Sequence, residues 1–268
     1  MDTKQSGLDP CLFYKRSRGE FTLISLVVDD MFIASTTVAH TDKLIEQLTK
    51  HYNLKDMGAA KFTLGIHIDY KREQQTLQLS QQLYVSNIIQ RYNQQGANPV
   101  RAPADPNSKL FKDMPGKPCT KAYRELVGSL LYAVQTRPNI TTVVPDLARY
   151  LADAKTTHWR CATRVLRYLN GTKDAKLLFK ASQQRGQELE IYVDASFNYC
   201  LDSRRSRTGY LIMFNRCPIH WRIIMQPIIT TSSTEAEYVA LMDAVKEAMW
   251  FRQMFMQIGF SQTHPVRI

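Results

Sequence analysis

Between residues 22 and 35 the sequence reads TLISLVVDDMFIAS: two apolar, strand-forming runs with nothing between them but Asp29 and Asp30. Runs of this kind that meet at a tight polar point fold back on one another as an antiparallel hairpin. The pattern predicts a strand on either side, with the two carboxylates at the turn. With CLFYKR ahead of it, the same stretch predicts a meander of short strands over residues 11–35. Asp is a good turn former. Yet two carboxylates set between LVV and MFIAS are costly unless a cation neutralises them. Hard divalent cations take carboxylate oxygens, and a few aspartates holding two metals is the arrangement used for in-line phosphoryl transfer. Local chemistry leaves both readings of Asp29 and Asp30 open, as turn formers or as metal ligands.

After the hairpin the period changes. TDKLIEQLTKHYNL carries Leu44, Ile45, Leu48 and Tyr52 at helical spacing, with Thr41 as the expected N-cap. KFTLGIHIDYKR and TLQLS predict two strands that turn at EQQ, and Ser80 opens a helix with Leu83, Ile88, Ile89 and Tyr92 on its inner side. GANPVRAPADPNSKLFKDMPGKP is rich in Pro, Gly and Asn and reads as a linker. Residues 120–171 predict three helices, broken near Arg137-Pro138 and before Thr156, with Gly171 as the last C-cap. From about residue 176 strands return as AKLLFKAS, LEIYVDAS, TGYLIMF and IIMQPIITTS. A long helix follows from Thr234 to Gly259, with Tyr238, Leu241, Met242, Val245, Met249 and Phe255 as its apolar stripe. The order predicts an α+β chain of two sheet-and-helix units with helices between them.

Charge adds a partner class. The 268 residues carry a formal net charge of +11 and a pI near 9.4. That excess points to a polyanion, nucleic acid ahead of acidic lipid, or simply to solubility. The five cysteines are scattered with no C-x-x-C pair, and no histidines fall at zinc-finger spacing, which argues against a disulfide scaffold or a zinc knuckle. The polar start MDTKQSGLDP has no signal peptide, and no run reaches the roughly 18 apolar residues of a membrane span. The expectation is a soluble protein of a reducing compartment, cytoplasmic or nuclear.

A set of blocks in one order carries more. VVDDMFIAS resembles the YVDD box of reverse transcriptases, with Val27 where the family usually has Tyr. SGLDPCLFYKR before it and LKDMGAAKFTLGIHI and LSQQLYVSNIIQRY after it are similar to the Ty1/copia class of LTR-retrotransposon Pol polyproteins. So are YRELVGSLLYAVQTRPNI and HWRCATRVLRYLNGTKDAKLLF, and together the blocks cover nearly the whole chain. The resemblance implies a partial reverse-transcriptase palm over residues 1–98, a linker and helical thumb or connection over 99–175, and a truncated ribonuclease H-like domain over 176–268. It implies that Asp29 and Asp30 belong to a polymerase site for Mg²⁺ or Mn²⁺. FTLGI would be the primer grip, with Leu64 and Gly65 at the primer end, and Lys55 in LKDMG would stand in the motif that often carries a general acid. A surface lysine is the alternative there.

The later blocks imply a second chemistry. EIYVDASF puts Asp194 in a β-type run, and TTSSTEAEYVAL opens a helix with Glu235 and Glu237. An acidic first turn is an ordinary dipole complement. The resemblance makes Asp194 the first-strand aspartate of ribonuclease H and Glu237 the helix glutamate that faces it. At roughly 100° per residue, Glu235 and Asp243 point away from the Glu237 face. The substrate implied is an RNA–DNA hybrid or template-primer, and the intact enzyme copies RNA into DNA by two-metal phosphoryl transfer. Departures from the family temper this. The family's first polymerase aspartate lies on a strand well upstream of the double-Asp hairpin, and its next ribonuclease H aspartate lies on a strand after this helix whose opening HPVRI resembles. The expectation is weak metal binding and little or no activity from this chain alone. The alternative is a non-catalytic nucleic-acid-binding or structural subunit. A second copy, or other Pol segments, would be its protein partners.

Two basic groups complete the reading. Arg160, Arg164 and Arg167 fall on one face of the HWRCATRVLRYLNG helix, and Arg204, Arg205 and Arg207 cluster in SRRSRTG. Either can track a phosphate backbone, which confers no sequence preference.

Overall fold

The structure is a computed structural model and describes residues 3–17, 19–105, 108–181, 189–260 and 264–268. Residues 106 and 107 of the predicted linker lie outside the described residues. The chain is of mixed α/β type: three antiparallel sheets and six α-helices among the described residues.

The first sheet is the predicted meander: β1 (Lys4–Gln5), β2 (Leu12–Ser17), β3 (Glu20–Val27) and β4 (Asp30–Ser35), in that order. Its inner face alternates, so Ile24 is buried together with Leu44 and Leu48 of α1 (Val38–Thr49), with Phe13, Leu26, Met31 and Ile33 packed around them. The helix begins earlier than the sequence suggested. Thr37 is the N-cap, accepting from the His40 amide at 3.3 Å, while Thr41 lies inside the helix and bonds the Ser35 hydroxyl. Tyr52 falls past the helix end and is exposed.

The second sheet runs β5 (Phe62–Thr63), β6 (Ile66–Lys71), β7 (Thr76–Ser80) and β8 (Leu177–Lys180). Its last member arrives from far along the chain, pairing Thr76 with Lys180 and Leu79 with Leu177. The predicted boundary near residue 176 therefore falls just before a strand that belongs with β7. Between β7 and β8 the chain builds its main core from α2 (Gln82–Arg91), α3 (Thr120–Ala133), a 3-10 turn (Pro138–Ile140), α4 (Val144–Ala148) and α5 (Thr156–Gly171). Val85, Ile88 and Ile89 are the buried side of α2, and Leu83 is exposed. Tyr123 is fully buried because its hydroxyl reaches the Leu147 carbonyl at 2.8 Å. Gly171 is helical and not a left-handed cap. A Cβ there would sit 2.8 Å from Pro99, so the missing side chain lets the linker lie against α5.

The third sheet is β9 (Leu189–Ser196), β10 (Arg207–Phe214) and β11 (Cys217–Met225), ordered β11-β10-β9. α6 (Ser233–Gln257) covers one face. Its buried stripe is Ala236, Ala240, Ala244 and Ala248, not the larger residues the sequence pattern picked out, and Tyr238, Met242 and Met249 are exposed. Small residues let the helix axis approach the sheet, and Leu189, Ile191, Tyr210 and Ile212 supply the bulk from the strands. After α6 the predicted strand at HPVRI does form a bridge. Arg267 lies parallel to Glu190, with the Ile191 amide on the Arg267 carbonyl at 2.8 Å.

Buried polar contacts join the regions. Asp146 of α4, on a side chain 7% exposed, accepts from Arg207 Nη1 at 2.9 Å and from the Tyr199 hydroxyl at 2.5 Å. Trp221 Nε1 donates to the Val134 carbonyl at 3.1 Å. The far end of α6 meets the first sheet, with Ser6 Oγ 2.7 Å from Gln257 Oε1 and the Phe21 and Phe260 ring centroids 5.3 Å apart.

Candidate functional site

The β3–β4 hairpin closes through Val28 and Asp29, with Val27 opposite Asp30. Asp29 is in the turn and Asp30 is the first residue of β4; both are exposed. Among the described residues neither carboxylate has an ion pair or accepts a hydrogen bond, although turn aspartates commonly bond their own backbone; Asp9 and Asp56 do so, to the amides of Cys11 and Gly58. Val28 beside them is 96% exposed and holds φ at 55°. That conformation is a rare one for a β-branched residue. The tip is thus a strained two-residue turn that presents two bare carboxylates.

Leu64 and Gly65 form the turn between β5 and β6, with φ at 48° and 70°. Gly65 lies against α3: a Cβ there would be 2.7 Å from the Tyr132 hydroxyl, and the Tyr132 ring packs edge-on against Tyr84 with centroids 4.7 Å apart. This turn is therefore held by the main core while Leu64 is exposed. Lys55 is exposed on the segment ahead of it.

Asp194 is exposed on β9 and pairs across the ladder with Gly209. Leu189 and Ile191 face α6, so strand alternation carries Asp194 and Tyr192 to the opposite face. Glu237 is exposed in the first turns of α6. The same end of the unit holds both acids, because Gln226 Nε2 bridges Thr208 Oγ1 at 3.1 Å and the Ala236 carbonyl at 2.8 Å, and Thr208 is next to Gly209. Neither acid is ion-paired among the described residues. Glu235 is committed elsewhere: it accepts from the Thr231 amide at 2.6 Å and the Thr231 hydroxyl at 2.9 Å, and the first of these bonds holds its carboxyl below the usual range. That separates it from Glu237, as helix geometry suggested.

The donor sets decide what can be held. Among the described residues no three His, Cys, Asp or Glu side chains gather as a metal cage. Asp29 and Asp30 are adjacent, whereas Asp194 stands on the sheet face turned away from α6, which carries Glu237, so the structure does not set those two face to face as expected. Mg²⁺ demands near-octahedral oxygen ligation, and neither exposed pair supplies a two-metal set by itself. The residues present do not fit such a centre within this chain.

The basic groups divide. Arg160 is exposed, Arg164 is half-buried, and Arg167 is tied to the linker through its Nε bond to the Asn98 carbonyl at 2.8 Å. Arg204 and Arg205 are exposed on the loop between β9 and β10. Arg207 leaves that group, since it is spent on Asp146 and lies over the Tyr199 ring, 3.7 Å from its centroid. Burial first, and then the bond to Asp146, push the Tyr199 hydroxyl up to about 12.

One feature beside Asp194 escaped the sequence reading. A cleft of about 300 Å³ is lined by Tyr192, Asp194, Gly209, Leu211, Trp221 and Ile223 of the sheet, by Pro138 of the 3-10 turn and by Thr141 just after it. Tyr192 shares the face of Asp194 by the period of two, which was legible. The turn that walls the cleft comes from the helical core and was not.

Comparison with known proteins gives a consistent set of relatives. A family model described as reverse transcriptase (RNA-dependent DNA polymerase) matches residues 2–106. The retrovirus-related Pol polyprotein from transposon TNT 1-94 of Nicotiana tabacum is 36% identical over 263 residues, 95% of this chain and 20% of that protein. The corresponding polyprotein from transposon RE2 of Arabidopsis thaliana is 32% identical over 250 residues, 92% of this chain and 17% of that protein. A putative transposon Ty5-1 protein of Saccharomyces cerevisiae is 29% identical over 239 residues, 88% of this chain and 77% of that protein. The chain spans about a fifth of the polyproteins it matches. No solved structure matches it at a significant level. Among the described residues no helix is long and apolar enough to cross a membrane.

Proposed function

The chain belongs to the reverse transcriptase family of Ty1/copia-type retrotransposon Pol polyproteins, and from that premise we propose that it supplies parts of two active sites to such a polyprotein. Residues 1–98 are read as part of the polymerase palm, 99–175 as linker and thumb or connection, and 176–268 as the first part of a ribonuclease H domain, with β8 returned to the palm-side sheet. Asp29 and Asp30 are the polymerase carboxylates, Leu64 and Gly65 the primer grip, and Asp194 and Glu237 the nuclease carboxylates. Lys55 stands as a general-acid candidate. Arg160, Arg164, Arg167, Arg204 and Arg205 contact the phosphates of a template-primer or RNA/DNA hybrid.

The observation that carries this reading is the hairpin tip. Two carboxylates without a structural partner, next to a fully exposed valine at positive φ, are a strained arrangement with no folding benefit. The nuclease reading draws support from the third unit, where three antiparallel strands, a helix and a parallel return beside β9 follow in order. In the intact polyprotein both reactions are read as two-metal phosphoryl transfer with Mg²⁺ or Mn²⁺. This chain holds only part of each ligand set, and no step of either reaction is assigned to it alone. The incomplete sets favour a second reading for the isolated chain, binding of nucleic acid without turnover.

The isolated chain is tested by primer extension with Mg²⁺ on an RNA template and by hybrid binding across a salt series. No extension, with binding that weakens steeply as salt rises, is the expected result. Processive extension by this chain alone, or binding indifferent to salt, contradicts the reading.

A further inference from the structure

On the face of the third sheet turned away from α6, one row of side chains runs Tyr192–Leu211–Trp221 and the next runs Asp194–Gly209–Ile223. Neighbouring strands lie about 4.8 Å apart, so Tyr192 and Trp221 rise from backbone positions about 9.6 Å apart with Leu211 between them. A flat ring touched on both faces needs two contacts of roughly 3.5–4.0 Å, about 7–8 Å in all. The spacing of the two backbone positions admits one ring between the aromatics, over the Leu211 side chain. Beside it, Gly209 leaves the floor open under Asp194; a Cβ there would touch only Ile223, at 3.6 Å. Pro138 and Thr141 close the far side, giving a cleft of about 300 Å³, the lower end of ligand-pocket sizes and room for one nucleoside.

The walls are prepared for a ligand. The Trp221 indole is fixed by its bond to the Val134 carbonyl at 3.1 Å. Thr141 is 4% exposed, yet among the described residues its hydroxyl has no hydrogen-bond partner. Among the described residues that line the cleft, the cation is Arg222. Its residue pairs with Tyr210, and its guanidinium lies toward Glu247 of α6 at 3.8 Å, so the open face offers phosphate nothing. What the cleft can read is a base. A carboxylate only accepts hydrogen bonds, so it selects an edge with two adjacent N–H donors. Guanine presents such an edge, at N1 and the 2-amino group. Adenine and cytosine set one amino group beside a bare acceptor, and uracil sets its N–H between two carbonyls.

We propose that this cleft is a base-recognition subsite for guanine, the ring slotted between Tyr192 and Trp221 over Leu211 and its N–H edge on the Asp194 carboxylate. The Thr141 hydroxyl is left to the acceptors of the ring. The inference goes beyond the nuclease reading of Asp194 and does not depend on it, because base binding needs no metal. An unpaired guanine of a bound strand is the natural occupant, since bases that can leave the stack are the ones protein aromatics take up.

The test is a titration of the whole chain, in EDTA, with guanosine, inosine, adenosine, cytidine and uridine, read by tryptophan fluorescence. Guanosine is expected to quench saturably and to bind at least tenfold more tightly than adenosine, with inosine, which lacks the 2-amino group, in between. Asp194→Asn is expected to weaken guanosine at least tenfold while leaving adenosine within twofold. Tyr192→Leu, at an exposed position, weakens all five. Absence of saturable quenching overturns the proposal, as do equal affinities for the five nucleosides or guanosine binding unchanged in Asp194→Asn. Metal-dependent cleavage of a hybrid is measured separately, so the nuclease reading and the guanine subsite can each fail alone.

Discussion

Replacing Asp146 by Ala removes the carboxylate that ties α4 to the third sheet. Asp146 and Arg207 are 7% and 16% exposed at the side chain and meet at 2.9 Å. The same carboxylate accepts from Tyr199 at 2.5 Å, and Arg149 lies 4.0 Å away. Breaking a buried pair by removing one partner costs about 3–5 kcal/mol, because the other charge stays buried. Arg207 keeps the Thr142 carbonyl at 3.1 Å and the face of the Tyr199 ring. These remaining contacts place Asp146→Ala at the lower end, about 3 kcal/mol. Arg207→Leu leaves Asp146 with Arg149 and Tyr199 and costs less. The double variant has no orphaned charge, so the cycle carries a coupling of about 1–3 kcal/mol. Urea unfolding of the four proteins, compared at a common slope, measures each quantity. A loss under about 1 kcal/mol for Asp146→Ala, or additive single changes, refutes the claim that this network fixes the third sheet to the helical core.

Three further outcomes are specific. Val28→Asn removes a β-branched residue from positive φ at a site with no packing to lose, and thermal unfolding is expected to show a gain of about 1 kcal/mol; a loss contradicts the strain. Gly65→Ala forces a Cβ into the Tyr132 hydroxyl and into a disfavoured conformation, and urea unfolding is expected to show a loss of about 1–2 kcal/mol; an unchanged midpoint contradicts it. Burial holds His220 below its ordinary value, with Arg222 lowering it further and Glu247 opposing, so folding favours the neutral ring. The unfolded chain then takes up the extra proton as pH falls through 6.5, and stability drops with acidification. His220→Phe, at a ring tilted against Tyr210 and Phe251, is expected to flatten that slope between about pH 7 and 5; an unaltered slope assigns the effect to other groups.

The sequence made local structure legible where a period and a stop signal coincide. The hairpin at Asp29–Asp30, the three helices over 120–171 and the strands of LEIYVDAS and TGYLIMF all read correctly for that reason, whereas the return at HPVRI was expected from the resemblance alone and forms a single bridge. Thr41 was mistaken for the N-cap because Thr37 is of equal capping chemistry and only the backbone turn after Ser35 chooses between them. The partner of β8 was hidden because β7 lies far away along the chain, and nothing in LLFK says which sheet edge it joins. On α6 the large residues drew attention as the apolar stripe, whereas the sheet already carried the volume and called for alanines. Arg207 looked like its neighbours Arg204 and Arg205 until Asp146, on a helix from another part of the chain, came beside it. Of the candidate site, Tyr192 and Asp194 share a face by simple alternation. Thr141 and Trp221 reach the same cleft only through tertiary packing.

The division of labour between the two acid pairs is the centre of the account, and a Pol polypeptide that includes this chain measures it directly. DNA synthesis and hybrid-RNA cleavage are assayed side by side. Asp29→Asn and Asp30→Asn are expected to abolish synthesis and leave cleavage, while Asp194→Asn and Glu237→Gln abolish cleavage and leave synthesis. If both activities fall together in every variant, or survive in all of them, these carboxylates do not serve two separate centres.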